Sequence, residues 1–305
     1  VIDLFKIRWG LTGSFTSNGL EDVFGQCKVV DQSLLGRSKN AFLQQYFVLM
    51  NRDYGEWAAR PDSLPKIMKT IKPATYLLDA GDYADLMPPL HMVEIKCQMD
   101  MEHYNTMKKD LVVAFPSATA VATNLAVVTG KLQQMSSGFV YHSTTTPSKS
   151  PGKFNTSTQS IWFSSHKFDR LEELLAENKR DCTMIFYTYK EELEELKRRY
   201  PHAQTLDDPN AVERWNTGQI ELLLAHPKSA GHGLNLQHHG NKIVFLSLPW
   251  SLEYFEQAIG RIHRSGQKRE VWCYILMTEN TIDERIYSVL QEKCTLSEIA
   301  IAELR

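Results

Sequence analysis

The run 242-KIVFLSLPWSLEYFEQAIGRIHRSGQKREVWCYILM-277 reads as a buried strand, a helix and a second buried strand. Neither 242–248 nor 271–277 alternates apolar with polar residues, so each strand buries both faces, as a parallel sheet covered by helices requires. Between them, Leu252, Phe255, Ile259 and Ile262 recur at three- and four-residue spacing and predict a helix over 251–264. On that helix Gln257, Arg261 and Arg264 fall at i, i+4 and i+7, on a face away from the apolar one.

The same alternation extends outward. Helices are predicted at 166-HKFDRLEELLAENKR-180, 190-KEELEELKRRY-200, 210-NAVERWNTG-218 and 281-TIDERIYSVLQEKC-294, and strands at 183-TMIFYTY-189 and 219-QIELLLAH-226. A glycine-containing loop, 227-PKSAGHGLNLQHHG-240, precedes the quoted run. Strands alternating with helices on short connections define an α/β fold. The N-terminal half is less regular. Residues 6–13 suggest a strand entering a turn, 19–27 a helix, and the aromatic-rich 41–58 a helix. Prolines 73, 88 and 89 then punctuate a strand-like 91–99, followed by helices over 100–113 and 119–135. Residues 141–160 are half Ser and Thr with two prolines and predict an exposed flexible loop.

The 305 residues carry 34 Lys and Arg against 36 Asp and Glu, a formal net charge of −2. Any basic surface for nucleic acid is therefore local. No apolar run approaches the roughly 18 residues of a membrane span. Five scattered cysteines with no C-x-x-C pair fit reduced thiols of a cytosolic protein and argue against a zinc site or disulfide framework. His226, His232, His238 and His239 cluster without a cysteine or carboxylate at ligand spacing, so no metal site is expected.

Two guanidinium groups one turn apart, beside an amide, can grip a polyanion such as a triphosphate. The residues alone also fit a solvated helix face with surface salt bridges. The order of the segments distinguishes the two. Residues 224-LAHPKSAGHGLNLQ-237 and 244-VFLSLPWSLEYFEQAIGRIHRSGQ-267 resemble motifs V and VI of superfamily-two helicases, most closely the Snf (sucrose non-fermenting) branch of double-stranded DNA translocases. Residues 10-GLTGSFTSNGLEDVF-24 resemble motif III, and 184-MIFYTYKEELEEL-196 matches motif IV in position. The segments 88–107 and 129–141 resemble the connecting region found in phage and prophage versions. The motif VI match is specific, whereas motif III alone is weak.

The resemblance implies two RecA-like lobes with ATP and Mg²⁺ in the cleft between them. It implies Arg261 and Arg264 as arginine fingers, with Gln257 contacting the nucleotide or ordering the motif. It implies that the loop from Ser229 to Asn235, with Gly231 and Gly233, lies between nucleotide and DNA. Lys228 and Ser229 would meet DNA phosphate, and Thr12 and Gly13 would sense the nucleotide state. The implied partner is DNA, double-stranded, and the implied location is the cytoplasm of a bacterium or a phage-infected host. By the same resemblance, residues 1–58 are a C-terminal remnant of lobe one, 59–160 a connecting and helical protrusion region, and 161–305 the RecA-like helicase C-terminal lobe.

The sequence also departs from the pattern. It contains no G-x-x-x-x-G-K-[ST] and no D-E-x-[DH] before Leu11. The chain is therefore expected to begin between motifs II and III, with the rest of the N-terminal lobe supplied in cis, and to be inactive alone. Ser14 and Phe15 replace the usual Thr-Pro of motif III, and Gly260 stands where remodellers often carry Asp. The absent phosphate-binding motifs keep open a non-catalytic module that binds DNA or a partner. A dehydrogenase lacks support, because no G-x-G-x-x-G follows the first strand.

Overall fold

The computed structural model describes residues 5–12, 15–16, 19–51, 55–77, 87–147, 154–179, 181–229 and 233–304. The chain divides into two compact units, 1–84 with 250–253 and 288–305, and 85–249 with 254–287.

In the first unit, helices α1 (Asp22–Val30), α2 (Gln32–Leu35) and α3 (Lys39–Tyr46) lead into a hairpin of β1 (Phe47–Asn51) and β2 (Glu56–Ala59), followed by α4 (Ser63–Ile71). An aromatic group holds it together: Phe42 stacks within 5.2 Å of both Phe24 and Tyr46 and 5.6 Å of Phe47. α4 adds Ile67, Met68 and Ile71 from one face. Two expectations change here. The helix expected over 41–58 ends at Tyr46, and the β-branched and aromatic residues after it pair as strands. The strand expected over 6–13 is not formed by residues 5–12. Phe5, Ile7, Trp9 and Leu11 alternate as strand residues do but are exposed, and alternation without a neighbouring ladder does not make a strand.

The second unit contains β3 (Leu90–Cys97), α5 (Glu102–Asp110), β4 (Val112–Ala114), β5 (Thr119–Val121) and α6 (Leu125–Ser136). Next come β6 (Phe139–Pro147), β7 (Phe154–Trp162), α7 (His166–Glu177), β8 (Thr183–Phe186), α8 (Lys190–Arg199), β9 (Gln204–Thr205), α9 (Ala211–Asn216) and β10 (Leu222–Ala225). β11 (Lys242–Phe245), α10 (Leu252–Ile259), β12 (Val271–Thr278) and α11 (Ile282–Leu304) complete the order, the first two residues of α10 and the part of α11 from Ser288 onward belonging to the first unit. Six strands form one all-parallel sheet in the order β3-β12-β11-β8-β10-β9. This is the RecA-like architecture expected of the C-terminal lobe. β8 and β10 are buried at every residue. Phe168, Leu171, Ile185, Leu224, Val244 and Leu276 share one core cluster, each contributing about 1.5–3 kcal/mol by leaving water. The strand expected at 91–99 is the sheet's edge, paired in register with β12 from Leu90↔Val271 to Cys97↔Thr278.

Of residues 141–160, expected as a flexible loop, 141–147 lie in β6 and 154–160 in β7, and 148–153 fall outside the described residues. Nine pairs run from Phe139↔Trp162 to Pro147↔Phe154. Threonine is a strand former, and polarity alone hid the pairing.

Buried polar groups gather where the strands end. Lys167 Nζ lies 2.6 Å from Asp283 Oδ2, with the two side chains 0% and 2% exposed, and also donates to the Leu246 carbonyl. Asp283 accepts from Ser136 Oγ and Thr278 N. Glu192 accepts from Ser137 Oγ, Ser247 Oγ and the Thr188 and Tyr189 amides. His166 Nε2 sits 2.7 Å from Thr278 Oγ1 and 3.1 Å from the Ser136 carbonyl oxygen.

Burial, followed by the charge of Lys167, pushes His166 from its ordinary 6.5 down to about 4. The fold therefore holds a neutral ring, and the unfolded chain takes up the proton first as pH falls. The ring's contribution is whole above pH 6.5 and is lost progressively down to about pH 4, at up to about 1.4 kcal/mol per pH unit. Thermal unfolding followed across that range should show a steeper acid loss in the native chain than in His166→Gln, which cannot take up the proton.

Candidate phosphate-binding site

α10 is placed by its apolar face, on which Phe255 stacks 4.8 Å from Phe245 of β11. It ends at Ile259, two residues before Arg261, so the expected single helical face bearing Gln257, Arg261 and Arg264 is not formed. Tight turns follow instead: Ile262 N bonds to Ile259 O at 3.1 Å, His263 N to Ile259 O at 2.9 Å, and Gln267 N to Arg264 O at 3.1 Å. Glycine at 260 weakens the helix at this point, and the Arg261 carbonyl accepts from Leu236 N at 3.2 Å rather than from the helix. Ile262, fully buried, pins the turn between the two arginines.

This turn and the loop after β10 meet through both arginines. Arg261 Nη1 donates to the Leu234 carbonyl at 3.4 Å, and Arg264 Nη1 donates to Asn235 Oδ1 at 2.7 Å. Arg261 Nε is buried with no hydrogen-bond acceptor. Burial, and then the neighbouring charge of Arg264, lower the pKa of Arg261. Two like charges with an unused, partly desolvated donor make a site that gains by accepting an anion.

Three side chains, Asn216, Trp215 and Gln267, hold the loop in place, and His263 ties the arginine-bearing turn to Pro88. Asn216 Nδ2 donates to the Asn235 carbonyl at 2.8 Å while its Oδ1 accepts from His238 N at 3.2 Å. Trp215, fully buried, donates from Nε1 to the Leu236 carbonyl at 2.8 Å. Gln267 donates to the Gly240 carbonyl at 2.9 Å and accepts from Lys268 N and Arg269 N at 3.0 Å. His263 Nε2 lies 2.8 Å from the Pro88 carbonyl oxygen. Their sequence signal was slight, because an amide or a tryptophan that bonds to a distant backbone has no characteristic spacing.

The remaining expected residues lie elsewhere. Lys228 and Ser229 sit at the other end of the loop, just past the carboxyl end of β10. There the Lys228 amide donates to His226 Nδ1 at 3.1 Å and Ser229 Oγ to the His226 carbonyl at 2.9 Å. The neighbouring Tyr187 N bonds to Ala225 O at 3.2 Å, which fixes that end beside β8. Both residues are exposed and do not join the arginine cluster. Gly233 has φ +65°, a left-handed conformation that favours glycine, with open space around it. Gln257 is half-buried within α10. Thr12 is exposed in the first unit. Gly13 and Gly231 lie outside the described residues.

A parallel α/β lobe whose crossover loop is tied to an arginine-bearing turn defines the class, a helicase C-terminal lobe. Residues 166–266 match the helicase conserved C-terminal domain. The chain is 32% identical to protein p41 of Acyrthosiphon pisum secondary endosymbiont phage 1, over 98% of this chain and 65% of that one. It is 42% identical to the ATP-dependent helicase YqhH of Bacillus subtilis (strain 168), over 28% of this chain and 15% of that one. It is 29% identical to the DNA repair and recombination protein RAD54 of Saccharomyces cerevisiae, over 45% of this chain and 17% of that one. Residues 166–266 carry the helicase C-terminal domain, and the chain is similar to the C-terminal portion of Snf-type superfamily-two helicases. It spans less than two thirds of the length of each of these curated relatives.

The loop's position depends on a close approach. A Cβ at Gly240 would lie 2.0 Å from Trp215 Cζ2. Gly240→Ala should therefore cost roughly 1–3 kcal/mol, measured by denaturant unfolding. A variant as stable as the native chain would mean that Trp215 does not hold the loop.

Proposed function

We propose that this chain is the C-terminal part of an ATP-dependent translocase that moves on duplex DNA. The observation that carries the reading is Arg261, whose Nε is buried without an acceptor while Arg264 is held beside it by Asn235. Arg261 and Arg264 act as arginine fingers, stabilising negative charge that develops on the transferred phosphoryl group. Gln257 contacts the nucleotide or orders the turn. Gly231, Gly233 and Asn235 shape the nucleotide side of the loop, and Thr12 and Gly13 report the nucleotide state from the other lobe. Lys228 and Ser229, exposed at the far end of the same loop, meet DNA phosphate, which positions a strand without reading its sequence. Thus one loop has a nucleotide end and a DNA end.

No group of three or more His, Cys, Asp or Glu side chains among the described residues is arranged to hold a metal. In this reading Mg²⁺ accompanies the ATP phosphates. In this reading residues 1–58 are the remnant of lobe one, 59–160 the connecting and protrusion region, and 161–305 lobe two, which draws its edge strand from 90–97. The P-loop is contributed by an N-terminal lobe in cis. The printed names of the relatives, an ATP-dependent helicase and a DNA repair and recombination protein, support ATP and DNA as ligands. The phage relative supports a bacterial or phage-infected cytoplasm, and no described helix is long and apolar enough to cross a membrane.

ATP hydrolysis by the 305-residue chain, with and without duplex DNA, is the first test, and no turnover is expected. In a chain extended to include the P-loop half, Arg261→Ala or Arg264→Ala should lower kcat by roughly a thousandfold with a much smaller change in KM. DNA-stimulated turnover by the 305 residues alone would overturn the half-site reading. Unchanged kcat in the extended variants would favour a non-catalytic DNA- or partner-binding module.

A further inference from the structure

Residues 111–168 contain no aspartate or glutamate, in a chain with 36 of them across 305 residues. The gap coincides with one structural piece: the hairpin β4–β5, helix α6 and the ribbon β6–β7.

That ribbon changes character along its length. At its base both faces are anchored. Phe139 and Trp162 stack at 5.0 Å, and Tyr141 meets Tyr189 edge-on at 6.5 Å. Val140 and Ile161 belong to the apolar cluster with Tyr104, Met107 and Leu132. Ser160 Oγ donates to Glu191 at 2.8 Å, the outermost carboxylate contact among the ribbon's described side chains. Beyond it come the pairs His142↔Gln159, Ser143↔Thr158 and Thr144↔Ser157. Ser143, Thr144, Ser157, Thr158 and Gln159 are exposed, and the Ser143 and Thr158 hydroxyls lie 3.2 Å apart. A two-stranded ribbon is marginal in water without an apolar face, yet this one continues well past its apolar base.

We propose that the outer ribbon, from His142↔Gln159 through Thr144↔Ser157, lies against the phosphate backbone of double-stranded DNA. Hydroxyl and amide groups donate to phosphate oxygens without reading sequence, and a two-stranded ribbon fits the wide groove of B-form DNA. A carboxylate within about 10 Å of the phosphates would repel them at ordinary salt, and this segment has none. A protein partner would gain nothing from that exclusion, and the described side chains of the outer ribbon, Ser143, Thr144, Ser157, Thr158 and Gln159, are polar. Of the four lysines in 111–168, Lys131 donates to the Tyr141 carbonyl and Lys167 is paired with Asp283, while Lys149 and Lys153 lie outside the described residues. The side chains of the described outer ribbon are neutral donors, which release few counterions.

The inference rests on the reading of this chain as a DNA-binding lobe, and the test separates the two. Anisotropy of a labelled duplex of about 40 base pairs is followed with the full chain between about 50 and 200 mM salt. Ser143→Val/Thr158→Val keeps strand propensity and removes both hydroxyls. It should weaken binding severalfold while leaving the slope of log affinity against log salt unchanged. Ser143→Glu/Thr158→Glu should weaken binding by roughly tenfold or more, most at low salt. Lys228→Ala should instead lower the slope by about 0.9. If both ribbon variants bind as the native chain does while Lys228→Ala weakens binding, the ribbon contact is wrong and the DNA reading stands. If the native chain binds no duplex, both fall. Ribbon variants that lose self-association in sedimentation but keep native DNA affinity would make the ribbon an interface between copies and overturn the proposal.

Discussion

Parallel strands cannot be joined by a tight turn, because the chain must travel back along the whole sheet before the next strand begins. Between β10 and β11 this return is made by 226–241, with no α-helix among its described residues. Backbone groups on such a path need partners other than their own ladder. Trp215, Asn216, Gln267 and the Arg261 backbone supply them. The site is a consequence of that requirement: the groups that satisfy the crossover also bring Asn235 to Arg264 and leave Arg261 Nε without an acceptor. Lys228 and Ser229 stand at the start of that path, bonded to His226, and Asn235 farther along it meets Arg264, so one loop has two chemically different ends.

A second constraint acts where β8, β11 and β12 end. Lys167, Glu192 and Asp283 are buried there, and each is saturated by hydroxyls, amides or an opposite charge. Removing one member of such a pair strands the other in a dry site, at a cost of about 3–5 kcal/mol. Ser136 and Ser137, at the end of α6, belong to this network. Helix α6 and the ribbon that follows it are therefore fixed to the sheet by polar bonds as well as by the apolar cluster around Leu132 and Val140. The ribbon's base is rigidly placed although its outer part rests on no core.

Much of the second unit was legible from residue pattern. Continuous apolar runs such as 183–186 and 242–245 can only be buried on two sides, and the three- and four-residue spacing of Phe168, Leu171, Leu174 and Leu175 can only be a helix face. The order of motifs around Arg261 and Arg264 carried the family. Less was legible where pairing is long-range. Thr144 and Ser157 look like linker residues until each finds the other across the ribbon, and Phe5 to Leu11 look like a strand although no ladder forms there. The helix drawn through Arg264 stops at Ile259, where Gly260 weakens it, and the Arg261 carbonyl then pairs with Leu236, 25 positions away in sequence.

The sequence by itself determined the α/β class, the buried strands and the identity of the charged residues, because periodicity and side-chain chemistry are local properties of the chain. Only the tertiary structure decided which strand became the sheet's edge, where α10 ends, and that Asn235 faces Arg264 while Lys228 does not. Those outcomes depend on hydrogen bonds between segments far apart in sequence, and such bonds are specified by register and crossover geometry rather than by any one segment's composition.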